Sequence, residues 1–404
     1  MFEGLPPSDL SIHKMILTQC AVCAIDLGLT SGKKCGRCST RYCGPECQVQ
    51  HWKEGGHDQL CKKIKKAGGA EQYNANKKYA EAVAVAADKC AEDTKGQTCY
   101  ICTQALHWKT KEGLVRGCSC RGTAGFAHVS CLAEQAKILN DEAEENNLIG
   151  TDRGNERWNR WHTCSLCEQR YHGVACCALG WACWKTYVGR SETDQVRGMA
   201  MTLLGNGLFC ANHYEDALSV REAELSMERR LGASNEEILE VQNNLAGAYD
   251  VMGRRVEASN MLRDVYSGRL KLHGEENFDT IAAAHNYATT LLALKRFEEA
   301  KSLLRKMMAV ARRVVGENHE ITLRMKWNYA EALYSDDDAT LGDLHEAVTT
   351  LEETERTARR VFGSEHPLTK GIERTLRDSR AALSAREGDD VSAVRGALEA
   401  MNAT

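Results

Sequence analysis

The residues best suited to chemistry in this chain are its cysteines, of which there are 19 among 404 residues. Eighteen of them precede residue 184, many in pairs separated by one or two residues, and only Cys210 lies in the second half. The N-terminal sequence has no secretory signal pattern, so we expect an intracellular protein, cytoplasmic or nuclear, whose thiols stay reduced. Clustered cysteines in that setting hold metal ions more often than they form disulfides. The cysteine pattern therefore predicts metal sites.

A first group of eight sulfur and nitrogen donors lies within residues 20–61. In chain order they are Cys20, Cys23, Cys35, Cys38, Cys43, Cys47, His57 and Cys61. Thiolate and imidazole donors in this number suit two tetrahedral zinc sites. A segment this short cannot bury enough apolar surface to fold alone, so we expect zinc binding to drive its folding.

The spacing of this group, together with Tyr42 and Trp52, resembles that of a MYND zinc finger. The resemblance implies one site formed by Cys20, Cys23, Cys43 and Cys47 and a second formed by Cys35, Cys38, His57 and Cys61. His51 is a competing donor, but the three residues between His57 and Cys61 match the family pattern. MYND fingers generally bind short proline-containing peptides. A protein partner is therefore the expectation, and a purely structural module is the alternative.

A second group of eight donors follows at residues 99–167. Its members are Cys99, Cys102, Cys118, Cys120, His128, Cys131, Cys164 and Cys167. Interleaved pairing would place Cys99, Cys102, His128 and Cys131 at one zinc ion and Cys118, Cys120, Cys164 and Cys167 at the other. The two groups together predict four zinc ions, two in each finger.

The close pair Cys118 and Cys120, the segment 121–124 after it, and the order of four cysteines, a histidine and three cysteines resemble the RING-CH variant of RING fingers. Such fingers often act as ubiquitin ligases, which hold a charged ubiquitin-conjugating enzyme in a reactive pose without covalent chemistry of their own. The resemblance implies that Ile101 and Trp161 contact that enzyme.

The second group departs from the RING-CH pattern at three places. Thirty-two residues, including an acidic insert, separate Cys131 from Cys164; no proline follows Cys164; and Glu168 stands where a cation is usual. A PHD-like finger has the same order of donors, although the one-residue spacing between Cys118 and Cys120 argues against it. These departures favour a binding role over ligase activity.

The second half of the chain repeats with a period near 42 residues. Small residues recur at Ala217, Ala258, Ala300 and Ala347, and glycines recur at Gly232, Gly274, Gly316 and Gly363. Small residues let paired antiparallel helices approach closely, and a glycine ends each second helix. A repeat of this length is typical of an α-helical solenoid.

These repeats, over residues 194–385, resemble the long tetratricopeptide (TPR) repeats of kinesin light chains. The resemblance implies a concave groove for an extended peptide, with the recurring Asn244, Asn286 and Asn328 as candidate groove residues. Asparagine is a mediocre helix former, so its recurrence needs a reason. Hydrogen bonds between scaffold helices are the alternative reason, and the sequence leaves both open.

The predicted fold is mainly α-helical, with two small cross-braced zinc modules in front of a TPR solenoid. The predicted divisions are a lead-in (1–18), a MYND-type finger (19–62), a helical linker (63–96), a RING-CH-like finger with its insert (97–188), the repeats (194–385) and a tail (386–404). Cys176, Cys177 and Cys183 lie in an apolar stretch where we expect them to pack as small hydrophobic residues, with a further metal site as the alternative.

Composition and motifs exclude several functional classes. The net charge of −4 gives no general attraction to nucleic acid. The sequence contains no run of 18 apolar residues, so no membrane span is predicted. The sequence has no phosphate-binding loop, HExxH motif or GxSxG motif. We therefore expect a zinc-dependent adaptor that recruits proteins or peptides through the MYND finger and the TPR groove. The alternative is a RING-CH-type ubiquitin ligase that binds a ubiquitin-conjugating enzyme and whose repeats select the substrate.

Overall fold

Two units make up the chain, an N-terminal unit (Met1–Ala233) and a C-terminal unit (Ser234–Thr404). The structure, a computed structural model, describes residues 20–402 except positions 24, 26, 28–30 and 365, and from residue 389 onward it describes only the backbone. The predicted lead-in and the side chains of most of the predicted tail lie outside the described residues. No helix in the described part of the chain combines the length and apolar character needed to cross a bilayer.

Helices dominate the described residues of both units. The N-terminal unit contains β1 (Lys33–Lys34), β2 (Arg41–Tyr42), α1 (Pro45–Lys53), α2 (His57–Lys66), α3 (Ala70–Lys89), α4 (Val129–Glu145), α5 (Asp152–Trp158), a 3-10 turn (Asn159–Trp161), α6 (Gly173–Tyr187), α7 (Gln195–Cys210) and α8 (Tyr214–Leu231). The C-terminal unit contains α9 (Asn235–Val251), α10 (Arg255–His273), α11 (Phe278–Ala293), α12 (Phe297–Val314), α13 (Glu320–Tyr334), α14 (Leu341–Phe362) and α15 (Pro367–Asn402). The predicted mainly α-helical fold is confirmed.

The first finger has a very small apolar core. Strands β1 and β2 pair antiparallel, and helices α1 and α2 follow them. Among its described residues, the buried apolar side chains besides the cysteines are Tyr42, Ile64, Leu27 and Ala70, the last at the start of α3. Such a core is too small to stabilise a fold without additional cross-links.

Helix α3, expected to be a linker, is packed into the N-terminal unit. Gln72 donates a hydrogen bond to the Lys185 carbonyl at 2.9 Å, and the Lys185 ammonium lies 4.0 Å from the Tyr79 ring centroid. The Tyr79 hydroxyl lies 3.0 Å from the Ser130 hydroxyl. At its start, the Ala70 amide donates to the Cys38 carbonyl at 3.1 Å. Helix α3 therefore joins the two fingers through direct contacts with both.

The long gap between Cys131 and Cys164 is occupied by helices α4 and α5 and the 3-10 turn. The acidic insert belongs to the end of α4, where Glu144 accepts two hydrogen bonds from Arg190, which lies three residues after the end of α6. Trp161 packs against Tyr187 of α6, with ring centroids 5.8 Å apart. The insert therefore contributes to the core of the N-terminal unit.

Helix α6 is apolar on all sides, as a fully buried helix is expected to be. It lies against α7, and two glycines allow the backbones to approach. A Cβ added at Gly180 would lie 3.1 Å from the Leu203 carbonyl, and one added at Gly207 would lie 2.8 Å from the Cys176 carbonyl. Helix α8 packs on α7 and carries a buried ion pair, with Arg221 donating to Glu224 at 2.8 Å.

The C-terminal unit consists of successive antiparallel helix pairs, α9 with α10, α11 with α12 and α13 with α14, followed by α15. The recurring small residues of this unit, Ala258, Ala300 and Ala347, are fully buried where helices cross, and so are Ala246, Ala288 and Ala330. Ser234 and Glu237 form a capping box at the start of α9, in which each side chain accepts a hydrogen bond from the other's backbone amide. Packing of small residues between paired helices thus builds the solenoid.

The recurring glycines of the repeats follow the second helix of each pair. Gly232 after α8 has a left-handed conformation, with φ 74° and ψ 34°. Gly274 after α10 also has a positive φ, 76°, but its ψ is extended. Both conformations are readily accessible only to glycine. The interval from Gly316 to Gly363 is longer than the two before it, and it contains the turn before α14, where Asp336 accepts a hydrogen bond from Lys301 at 3.2 Å.

Replacing Gly207 by alanine should destabilise the N-terminal unit by about 1–3 kcal/mol, because the new Cβ would meet backbone atoms of α6 that cannot move aside. Gly198 in the same helix is the matched control. A Cβ there would meet only the Glu228 carboxylate at 3.7 Å, so Gly198→Ala should stabilise by about 0.5–1 kcal/mol. Urea unfolding followed by tryptophan fluorescence measures both, since only Trp327 lies outside the N-terminal unit. Equal stability of the two variants would contradict this packing.

Candidate metal centres and exposed apolar surfaces

Four clusters of sulfur and nitrogen atoms lie in the N-terminal unit. Within each cluster the donor atoms all lie within 4.8 Å of one another, and the clusters are Cys20, Cys23, Cys43 and Cys47; Cys35, Cys38, His57 and Cys61; Cys99, Cys102, His128 and Cys131; and Cys118, Cys120, Cys164 and Cys167. The structure thus brings the sixteen predicted donors together in the four predicted sets. Each finger is cross-braced, because the donors of its two clusters alternate along the chain.

Short local elements position these donors. In the first finger, Cys43 precedes α1 and Cys47 lies within it, while His57 and Cys61 are one turn apart on α2. In the second finger, His128 is the N-cap residue of α4, and Cys131 lies in its first turn. The remaining pairs lie in loops. Each cluster therefore ties separate elements of its finger to one point.

The separations within the clusters have the size that a tetrahedral zinc ion requires. Zn–S bonds of about 2.3 Å give sulfur–sulfur edges of about 3.8 Å, and a Zn–N bond of about 2.0 Å gives mixed edges of about 3.5 Å. The Cys120–Cys164 and Cys35–Cys61 sulfur separations are 3.8 and 3.9 Å. His57 Nε2 lies 3.4 Å from the Cys38 sulfur. The donor sets and their spacing fit four zinc ions.

The two histidines face their clusters with different ring nitrogens. His128 Nδ1 lies 3.3 Å from the Cys102 sulfur, whereas its Nε2 lies 3.3 Å from the Ala105 carbonyl. An Nε2–H donated to that carbonyl leaves the Nδ1 lone pair directed at the metal. Burial also lowers the pKa of His128, which favours the neutral ring that a metal needs. His51, the competing donor, lies outside the cluster, with its Nδ1 3.0 Å from the Tyr42 hydroxyl.

Three of the Cys-x-x-Cys turns share one backbone geometry. The residue after the second cysteine has a positive φ in each, 63° at Ser39, 61° at Thr103 and 57° at Glu168. The left-handed conformation lets the turn close, so that Ile101 N–H points to the Cys99 sulfur and Leu166 N–H to the Cys164 sulfur, both at 3.4 Å. Hydrogen bonds donated by backbone N–H groups stabilise thiolates.

The thiols of one cluster also influence one another's ionisation. Burial, followed by hydrogen bonds with Cys38 and Cys35, raises the pKa of Cys61 to about 11. Burial, together with the Cys167 and Cys164 thiols and against an opposing hydrogen bond with Cys118, raises the pKa of Cys120 to about 11. Burial also opposes ionisation of Cys20, but bonds from the backbone of Cys23 and Cys43 outweigh it and lower its pKa to about 6. Several thiolates at one point repel each other, and a dication offsets that repulsion.

Large apolar side chains are exposed on the loops and helices that the clusters hold. In the first finger they include Ile25 in a loop and Val49 and Trp52 on α1, which are 58%, 50% and 45% exposed. In the second finger Ile101 is 37% exposed, and Leu166, which sequence reasoning did not single out, is 52% exposed. The signal for Leu166 was its place between the last cysteine pair, which matches the place of Ile101 between the first.

Trp161, predicted beside Ile101 as a partner contact, is only 1% exposed. Its indole packs between Trp158 and Tyr187 in the core of the N-terminal unit. The helices of the insert cover it, and it is therefore not available to a partner. The sequence could not indicate this, because the covering residues come from α5 and α6.

Two of the recurring asparagines form hydrogen bonds between repeats. Asn286 Nδ2 donates to Asn243 Oδ1 at 3.0 Å, which links α11 to α9. Asn328 Nδ2 donates to the Thr289 hydroxyl at 2.8 Å, which links α13 to α11. Asn244 is half-buried on α9, beside the residue that accepts the first of these bonds. These contacts favour the scaffold interpretation of the asparagines over the groove interpretation.

The cysteines outside the four clusters do not assemble another metal site among the described residues. Cys176, Cys177 and Cys183 are buried on α6, as expected for small hydrophobic residues. Cys210, at the end of α7, is exposed.

Comparisons with known domain families agree with these features. The MYND finger model matches residues 20–61, the RING-variant domain model matches 99–149, and two tetratricopeptide repeat models match 238–279 and 279–340. No curated protein matches the chain significantly.

Solved structures of repeat proteins also match part of the chain. One is a Podosopora anserina protein with nearly identical kinesin-light-chain TPR-like repeats, with 20% identity, 58% of this chain and 98% of that chain covered, and a TM-score of 0.37. Another is BtubC from P. vanneervenii, with 13% identity, coverage of 67% and 91%, and a TM-score of 0.40. These superpositions are too loose to define a common shape.

Replacing Thr103 by glycine should stabilise the second finger by about 1 kcal/mol, because a β-branched residue is strained at a φ of 61° and glycine is not. Urea unfolding of the zinc-loaded chain measures the change. Thr94→Gly is the control, since φ at Thr94 is not positive and glycine there should destabilise by about 0.5–1 kcal/mol. Destabilisation by Thr103→Gly as large as that by Thr94→Gly would show that the turn is not strained.

Proposed function

We propose that this chain, which carries a MYND finger, a RING-variant domain and tetratricopeptide repeats, is a zinc-dependent adaptor that recruits partner proteins. The observation that carries the proposal is the exposure of Val49 and Trp52 on α1 of the first finger. They are three residues apart, so they share one face of the helix. A partner segment with apolar or proline side chains would bury that face.

Zinc ligation would order the helix face that carries Val49 and Trp52 before a partner binds. Cys47 lies on α1 itself, and His57 and Cys61 fix the neighbouring α2, so the exposed side chains stand on elements that the metal sites hold in place. A surface that is already ordered loses little conformational entropy when a partner binds, and more of the contact energy remains as affinity. Exposed aromatic residues on such a surface are typical binding anchors.

The repeats supply a second recruiting surface in this proposal. Their helix pairs are stacked by buried alanines and by asparagine bonds between successive first helices. An array of this kind presents one face of its first helices as a continuous concavity. A partner that contacts both the first finger and the repeats would bind more tightly than a partner that makes only one of the contacts, because the first contact raises the effective concentration for the second.

The test uses an array of proline-containing peptides probed with the zinc-loaded full chain. Val49→Asp should reduce binding to the captured peptides at least about tenfold, because it buries a charge in an apolar contact. Val85→Asp is a matched control, since Val85 is 49% exposed on α3, away from α1. Equal binding by the two variants would contradict a binding role for this face, as would the absence of captured peptides.

A second candidate function, ubiquitin ligase activity, is favoured by the arrangement of the second finger. The Tyr100 hydroxyl lies 3.1 Å from the Ser165 hydroxyl, which ties the Cys99–Cys102 turn to the Cys164–Cys167 turn. Ile101 and Leu166, the residues that follow, are both exposed. The two apolar side chains stand on turns that metal ligands hold and that Tyr100 and Ser165 link, and together they form a contact surface for a conjugating enzyme. Catalysis would then come from positioning the thioester of that enzyme.

An autoubiquitination assay with a panel of conjugating enzymes tests this second candidate. Ligase activity predicts chains that disappear with Ile101→Ala or Leu166→Ala and persist with Val85→Ala, because only the first two side chains belong to the proposed contact. Chains that persist in all three variants would arise from another surface. If no enzyme of the panel supports chains while the peptide array captures ligands, the adaptor function stands and the ligase function is refuted.

A further inference from the structure

Two thiols outside the metal clusters meet where α6 and α7 approach most closely. The helices run antiparallel, because Gly180 faces Leu203 while Gly207 faces the Cys176 carbonyl and the Cys177 Cα. Cys210 lies one turn beyond Gly207, on the side of α7 that faces the start of α6. The glycine therefore places the Cys210 side chain beside that of Cys176, across an interface where the backbones are almost in contact.

The environments of the two thiols differ in a way that suits a reactive and a resolving cysteine. Cys210 is exposed at the end of α7, whereas Cys176 is 8% exposed. The neighbouring Cys176 thiol, against the effect of burial and together with the charge of Arg170, lowers the pKa of Cys210 to about 7. The neighbouring Cys210, followed by burial, raises the pKa of Cys176. These opposite shifts favour a thiolate on the accessible sulfur.

A cleft of about 250 Å³ lies nearby, lined by Cys177, Val174 and Leu208 and by the charged residues Lys78, Glu81 and Asp216. Neither Cys176 nor Cys210 lines it. Hydrogen peroxide therefore reaches Cys210 from the exposed end of α7. Asp216 is the anionic group near Cys177, while Arg170 is the cationic group near Cys210. The charges around the pair therefore favour a thiolate at Cys210 over one at Cys177.

We propose that Cys210 and Cys176 form a peroxide-reactive dithiol that closes into a disulfide across the α6–α7 interface. The Cys210 thiolate attacks one oxygen of hydrogen peroxide, which gives Cys210 sulfenic acid and releases hydroxide. The Cys176 sulfur then attacks the sulfenic sulfur, forming the S–S bond, while its proton and the departing hydroxide leave as water. Peroxide is the oxidant and is reduced to water, and the two thiols are oxidised.

This reaction is separate from metal binding, because neither cysteine belongs to the four clusters. Two other buried thiols lie on α6, Cys177 and Cys183, and Cys183 is 0% exposed. A low-pKa, accessible thiol next to a buried partner is the arrangement found in redox-responsive cysteines. Closing the disulfide would lock α6, on which the second finger packs, to α7.

The experiment treats the zinc-loaded full chain with low concentrations of hydrogen peroxide and maps cysteine modification by mass spectrometry. Zinc release is recorded in parallel with a colorimetric chelator. We expect a Cys176–Cys210 disulfide in the wild type, and sulfenic acid trapped at Cys210 by a dimedone probe in Cys176→Ser. The larger thiolate fraction of Cys210 at pH 7, partly offset by the weaker nucleophilicity of a less basic thiolate, should make it react roughly fivefold faster than an ordinary thiol. The disulfide should form before zinc is released.

Matched variants make the outcome specific. Arg170→Gln should slow the modification of Cys210 about twofold, because it removes the charge that favours the thiolate, while Arg170→Lys should restore the rate. Cys183→Ser should change nothing. A Cys177–Cys210 disulfide, zinc release before any reaction at Cys210, or Cys210 reacting no faster than Cys90 would each overturn the proposal.

Discussion

The constraint on which the N-terminal unit depends is that thiolates at one point repel each other unless a cation lies between them. Sixteen donors gather in four clusters, and some thiols such as Cys20 are easily ionised while others, such as Cys61 and Cys120, resist. A zinc ion removes this conflict and converts four separate chain segments into one fixed point. The first finger, with its handful of buried apolar side chains, has little else to hold it together.

Metal sites and apolar packing contribute differently to the stability of the two fingers. The first finger relies on its zinc ions, and the second is embedded in a core that also includes α3, α6, α7 and α8. Close helix approach at Gly180 and Gly207 makes that core compact, and Arg190, Gln72 and Tyr79 connect its parts. The result is a rigid base from which Ile101 and Leu166 project on turns fixed by ligation.

Features encoded by local spacing could be predicted from the sequence. The donor sets of the first finger follow from its resemblance to MYND fingers, those of the second follow from interleaved pairing, and the solenoid follows from a 42-residue period. Features that depend on distant segments could not be predicted. The docking of α3 on α6, the burial of Trp161 under the insert and the bond between Asn286 and Asn243 all require the folded chain. The positive φ of Thr103 was also hidden, because glycine is the usual residue at such a position.

The central claim is that four zinc ions hold the N-terminal unit in its fold, independently of the repeats. Hydrogen exchange of the full chain, with the bound zinc counted by native mass spectrometry, measures this before and after treatment with a strong chelator. We predict four zinc ions at the start, and loss of amide protection after chelation in residues 20–61 and 99–167, with protection retained in residues 235–362. Protection that survives in both fingers after all zinc is removed would contradict the account.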